Sequence, residues 1–143
     1  MASVSVENTI NAPYEKVWNL AADYGRWPEW NTMFTKWVGD VPSEIQQGGQ
    51  VTAVLTIMGM ANTIKLTVTE YKAQERVVFS GTGMAGAEIT MTFGVEPSDD
   101  STVLTMQADF VSQMMVGAIG SAIERTAKKE LSDSLTKFAA IVE

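Results

Sequence analysis

The chain has 143 residues, with ten basic against seventeen acidic side chains for a formal charge of -7, and it contains neither cysteine nor histidine. That length fits one domain around one core, and an acidic balance without a Lys/Arg track argues against nucleic acid and anionic membrane surfaces as partners. The composition also removes disulfides, thiolate chemistry and the usual proton shuttle near neutral pH, and it leaves no metal-ligand spacing.

Val4, Val6 and Ile10 alternate with Ser3, Ser5, Glu7 and Thr9, the period-two signature of a strand with one wet face, interrupted on its dry side by Asn8. At Asn11-Ala12-Pro13 the period changes. With Asn11 as cap and proline in the first turn, Val17, Leu20 and Ala21 make one face of a short helix from about Pro13 to Ala22. Gly25 and Pro28 forbid its continuation, and Trp27 and Trp30, three apart, fit a second helical turn. Thr35 to Asp40 is expected as an edge strand carrying Trp37, followed by a loop marked by Pro42, Gly48 and Gly49.

From Gln50 onward strands dominate. Val51, Ala53, Leu55 and Ile57 face one way, Thr52, Thr56 and the exception Val54 the other, and Gly59 to Asn62 is expected to turn the chain. Ile64, Leu66 and Val68 alternate with Lys65, Thr67 and Thr69. A polar turn over Lys72 to Glu75 precedes Val77 and Phe79, and Ala87, Ile89, Met91 and Phe93 form the next dry row beside Glu88, Thr90 and Thr92. Pro97 to Asp100 reads as a turn before Leu104, Met106, Ala108 and Phe110, which are set against Thr105, Gln107 and Asp109. Short links imply antiparallel neighbours. From Met115 to Glu143, Val116, Ile119, Ile123, Ala127, Leu131, Leu135, Phe138 and Val142 recur at steps of three and four, opposite Arg125, Lys129, Ser132 and Thr136. Glu124 with Lys128 and Asp133 with Lys137 add acid-first pairs at four-residue spacing. A lone helix is marginal in water, so this stripe has to lie on the dry face of the strands. Residues 1–143 therefore read as a single α+β domain.

The residues Ile10-Asn11-Ala12-Pro13-Tyr14-Glu15-Lys16-Val17-Trp18, then Asp23 and Trp27-Pro28-Glu29-Trp30-Asn31, resemble the opening I-x-A-P-x-E-x-V-W and D-x-x-x-x-P-x-W pattern of the START-like or Bet v 1-like (SRPBCC) superfamily. Polyketide cyclases and lipid-transfer domains belong to that group, and the chain resembles its small actinobacterial members, some described as toxins of toxin-antitoxin pairs. The element order matches over essentially the whole chain, the residue pattern over about the first 31 positions. The resemblance implies a helix-grip fold: a seven-stranded curved antiparallel sheet around the long C-terminal helix, two short helices after the first strand, and a pocket between sheet and helix for a lipid or polyketide-like molecule. Absence of histidine argues against the acid-base chemistry of the cyclases.

Candidate lining residues come from the dry faces: Leu55, Ile57, Leu66, Phe79, Met91, Phe93, Met106 and Phe110 from strands, Ile119 and Ile123 from the helix. Each alone is an ordinary core residue; together they make a continuous apolar wall. Trp27, Trp30 and Trp37, with Phe34, are candidates for an entrance, the alternative for Trp27 and Trp30 being that they pin the short helices onto the sheet. Among nine methionines, Met33, Met58, Met60, Met84, Met114 and Met115 fall near expected loops, where adaptable thioether chains suit a pocket mouth. The small residues from Gly117 to Ala122, Gly120 in particular, leave room either for close approach of helix to sheet or for a guest. Glu70, Glu88 and Asp109, with Tyr14, Tyr24 and Tyr71, are the groups from which acid-base catalysis would have to be drawn, and it would need a strongly shifted pKa. Gly81 to Gly86 matches G-x-G-x-x-G but falls between strands, without the helix that would bind a pyrophosphate. No apolar run approaches ~18 residues, and the start MASVSVENTI lacks the charged and greasy blocks of a signal peptide. The expectation is a cytoplasmic protein without cofactor, metal or stable membrane insertion that binds, transports or senses a hydrophobic small molecule. The alternatives are a polyketide cyclase or dehydratase, and an interaction protein with a protein partner or a second copy of itself.

Overall fold

A computed structural model describes residues 2–42, 45–57, 60–82, 88–111 and 117–143, with the side chains of Ala2, Ile57, Met60 and residues 117–120 outside that description. Strand β1 (Ala2–Ile10) is followed by helix α1 (Tyr14–Ala21), a single 3-10 turn (Tyr24–Arg26) and helix α2 (Trp27–Trp30). Six strands then run in sequence: β2 (Phe34–Val38), β3 (Gln50–Ile57), β4 (Met60–Lys72), β5 (Arg76–Thr82), β6 (Glu88–Ser98) and β7 (Ser101–Val111). Helix α3 (Gly117–Val142) closes the fold. The seven strands form one antiparallel sheet in the order β1-β7-β6-β5-β4-β3-β2. After β1 the chain crosses to the far edge and returns as a meander of short links, so α1 and α2 have to span one end of the curved sheet. Helix α3 runs parallel to β1, tied near both ends: Ser3 N–H donates to Glu124 Oε1 at 3.3 Å and Asn11 N–H to Glu143 Oε2 at 2.8 Å.

The alternating patterns place the inner rows by register. Phe110, Ile89, Gly81, Leu66 and Val51 stand opposite one another across five strands; the next row is Val4, Ala108, Met91, Phe79 and Val68, and the third Val6, Met106, Phe93, Val77 and Tyr71. Two irregularities in register, at Phe34/Lys36 and Val68/Glu70, bend the sheet where it must wrap. Gly81 makes part of that curvature physically available. A Cβ there would lie 2.6 Å from both the Ile64 side chain and the Lys65 carbonyl.

Several expectations are corrected. Asn11 does not cap α1: Pro13 occupies the cap position in extended geometry without a side-chain bond, and Asn11 Oδ1 instead accepts from Ser101 Oγ at 3.2 Å. Met60, Ala61 and Asn62 belong to β4 rather than to a turn, and Pro97 and Ser98 belong to β6, since a two-residue turn at Asp99 and Asp100 already lets Ser98 pair with Ser101. The edge strand starts at Phe34 and ends before Gly39, whose φ of +79° favours glycine. The α3 surface pairs also differ: Asp133 bonds Lys129 at 3.1 Å rather than Lys137, and Glu124 is engaged by β1. Val54 is buried although it faces away from the core wall. The α3 stripe is buried as expected from Ile123 to Val142, while Met115 and Val116 lie outside the described residues.

Candidate functional site

The site is assembled from the end where α2 meets the sheet. Asp23 Oδ1 accepts the Gly25 N–H at 2.9 Å, which starts the 3-10 turn, and Pro28 in the first turn of α2 fits a position whose N–H has no helical partner. Three-residue spacing then puts Trp27 and Trp30 against the sheet together, both fully buried. Trp27 is a hub: its ring centroid lies 5.2 Å from Trp37, 5.3 Å from Phe79 and 5.7 Å from Phe93. Trp30 stands 5.7 Å from Phe93 on β6 and 5.3 Å from Phe138 on α3, which places it in the layer between sheet and helix. Phe34 and Trp37 meet at 4.7 Å on β2, and Tyr24 packs edge-on to Trp37 at 5.3 Å.

Polar atoms in this cluster are mostly accounted for. Trp27 Nε1 donates to the Ala21 carbonyl at 3.4 Å and Trp37 Nε1 to the Tyr24 carbonyl at 3.2 Å. Thr32 is fastened to α3: its N–H donates to Ser134 Oγ at 3.0 Å and its hydroxyl to the Glu130 carbonyl at 2.8 Å. Burial pushes the Tyr24 phenol up to about 12, so it stays protonated at ordinary pH. Trp30 Nε1 is the exception, a buried donor with no acceptor.

Sequence-based candidates separate into groups. Leu66 and Phe110 share the first inner row, Met91 and Phe79 face each other in the second, Met106 lies in the third, and Phe34 pairs with Leu55. Ile123 is buried on α3. Trp30, Trp37, Phe34 and Phe79 are brought together in one ring cluster around Trp27. Met33 is buried core, not a mouth residue. Met58, Met84, Met114 and Met115 lie outside the described residues, as do the side chains of Met60, Ile119 and Gly120. Gly81 and Thr82 of the glycine-rich motif belong to β5, and Gly83 to Gly86 lie outside the described residues.

Tyr24 and Phe138 are members of the ring cluster that were not among the candidate lining or entrance residues. Phe93 and Phe138 were readable as apolar members of a strand face and a helix stripe, but nothing in spacing says that they touch α2. Glu88 and Asp109 sit on the outer face, Asp109 accepting from Ser3 Oγ, and Glu70 is paired with Arg76 at 2.5 Å. No Asp, Glu, Lys or Arg is buried among the described residues, and no group of three His, Cys, Asp or Glu side chains there could hold a metal. A trough of about 670 Å³ crosses the outer face between Gln50, Lys65, Thr67, Ser80, Glu88 and Thr90, and a groove of about 300 Å³ runs between β1 and α3 past Ser5, Glu7, Lys128 and Thr136. Among the described residues, no helix is long and apolar enough to cross a membrane.

Comparison with known proteins places this geometry in context. Residues 1–143 match the family described as polyketide cyclase / dehydrase and lipid transport. Toxin Rv0910 of Mycobacterium tuberculosis is 26% identical over 141 residues, covering 99% of this chain and 98% of the relative. A START superfamily protein from Mycobacterium smegmatis superimposes with a TM-score of 0.79 at 17% identity, covering 99% of this chain and 97% of the other. The Zhui aromatase/cyclase from Streptomyces sp. R1128 does so with a TM-score of 0.78 at 17% identity, over 98% and 92% of the two chains.

Proposed function

We propose, from the premise that this chain belongs to the polyketide cyclase / dehydrase and lipid transport family, that it takes up a lipid or polyketide-like molecule between its curved sheet and α3, and carries or senses it unchanged. The observation that carries this reading is the inner wall. Leu66, Met91, Met106 and Phe110, from three strands, turn one apolar surface toward a helix that contributes Ile123, and no charged side chain among the described residues is buried with them. Each ligand methylene withdrawn from water onto such a wall contributes roughly 0.8 kcal/mol, without any directional contact. Transformation of the guest finds less support. Glu70, Glu88 and Asp109 are turned away from the inner rows, and Tyr24 offers the interior a neutral phenol rather than a base.

Native mass spectrometry of the protein purified from its own host is expected to show a co-purifying lipid. Saturable uptake of diphenylhexatriene, a neutral apolar fluorophore, is expected to be abolished by Gly120→Leu near the start of α3 while the circular dichroism is retained. A protein that repeatedly carries nothing and gives no saturable signal with this dye is not a carrier.

A second reading, an interaction protein that acts as a toxin, is favoured by the toxin-named relative alignable over nearly its whole length. Induced expression of this chain in a related host, with growth followed, tests it: undisturbed growth at high expression removes that reading.

A further inference from the structure

Trp30 Nε1 is the one described buried side-chain N or O atom without a hydrogen-bond partner. Two other tryptophans of the same cluster, Trp27 and Trp37, both donate to backbone carbonyls. The neighbouring buried polar groups are also engaged: Asn31 Oδ1 accepts the Met33 N–H at 3.1 Å, and Ser134 Oγ accepts from Thr32. An indole N–H withdrawn from water and left unmet is destabilising, and such orphans are few in native proteins because a partner normally meets them. This one belongs to a ring held between Phe93 of β6 and Phe138 of α3, in the layer where an interior guest would lie.

We infer that the guest carries a neutral hydrogen-bond-accepting oxygen, a ketone, ester or hydroxyl oxygen, and that Trp30 Nε1 donates to it. The inference rests on the reading of the interior as a ligand chamber and adds the polar group that the ligand presents there. A neutral oxygen is favoured over a carboxylate because no lysine or arginine among the described residues is buried, so a carboxylate beside Trp30 would stand as an unpaired charge in an apolar layer. An indole N–H is a single donor, suited to one carbonyl or hydroxyl lone pair. It therefore orients an otherwise greasy molecule, fixing which end of the chain lies beneath α2.

The test compares octane, 2-octanone and octanoate on the full chain. In wild-type protein labelled with 15N, the Trp30 indole resonance, assigned by its loss in Trp30→Phe, is expected to shift downfield with 2-octanone and to stay nearly in place with octane and octanoate. Trp30→Phe keeps an aromatic ring, though a smaller one, and removes the donor. It is expected to lower the ratio of ketone affinity to octane affinity by roughly tenfold, the worth of one hydrogen bond made away from water. Should that variant not fold, the wild-type resonance, assigned instead by its proton contacts to the Phe93 and Phe138 rings, decides alone. Octane that binds while the Trp30 resonance ignores the ketone overturns this inference and leaves the chamber standing; failure of both octane and ketone to bind overturns the chamber as well. A shift as large with octanoate as with ketone overturns the preference for a neutral oxygen.

Discussion

Gly81 shows how one missing methyl group shapes the sheet. Its place in the inner row between Ile89 and Leu66 brings β4 so near that an added Cβ meets side chain and backbone at once. Because a backbone carbonyl cannot swing away as a side-chain tip can, Gly81→Ala is expected to lower stability by about 1 to 3 kcal/mol, seen as a lower urea midpoint. An unchanged midpoint would mean that β4 and β5 are less closely apposed. Tyr24 governs a different variable. Its phenol is held up to about 12 by burial, against an ordinary value near 10. Between those two pH values the unfolded chain has released this proton and the folded one retains it, so stability falls as pH rises, by ~1.4 kcal/mol per pH unit. Urea titrations on either side of about pH 10 should show a steeper alkaline loss in wild type than in Tyr24→Phe; equal slopes would remove Tyr24 as the cause. Neither effect was visible in the sequence. Gly81 read there as the start of a glycine-rich match between strands, and Tyr24 as one phenol among three.

Between elements, the joint that matters is polar. Helix α3 lies on β1 by its apolar stripe, but its position against α2 is fixed by Thr32, which reaches Ser134 and the Glu130 carbonyl from the segment just before β2. Ser134 sits within the helix pattern as a small polar residue, and only its burial reveals that it is a partner. Ser134→Ala leaves the Thr32 N–H unmet and is expected to cost about 1 to 2 kcal/mol. A double-mutant cycle with Thr32→Val should be non-additive by at least about 0.5 kcal/mol, because the two changes break the same joint. Strict additivity in thermal or urea unfolding would show that the two residues act independently. The long helix itself, its buried face and the alternation of β4 to β7 were legible, since periods of 3.6 and 2 are local properties of the chain. Caps and turns were not: Asn11 looked like a cap, yet a neighbour ninety residues away claims its side chain.

At the scale of the molecule, α1 and α2 lie where they do because β1 pairs with β7 while the next strand in sequence occupies the opposite edge. The crossing delivers Trp27 and Trp30 onto Phe79, Phe93 and Phe138, contributed by β5, β6 and α3. Phe79 is fully buried at the centre of that contact, so Phe79→Ala is expected to remove about 3 to 5 kcal/mol of stability and to leave a hollow that benzene partly restores, read as a rise in melting temperature with added benzene. A small loss with no benzene effect would mean that the rings collapse into the gap. Read in one dimension, the chain already specified its strands, its terminal amphipathic helix, the segregation of the two and thereby an α+β fold, because each of these depends on residues within one or two turns of one another. Where the aromatic rings gather, which threonine fastens the helix, and which buried indole N–H is left without an acceptor all depend on residues as much as a hundred positions apart or more. Such juxtapositions come into being only when the sheet curls and the helix settles across it.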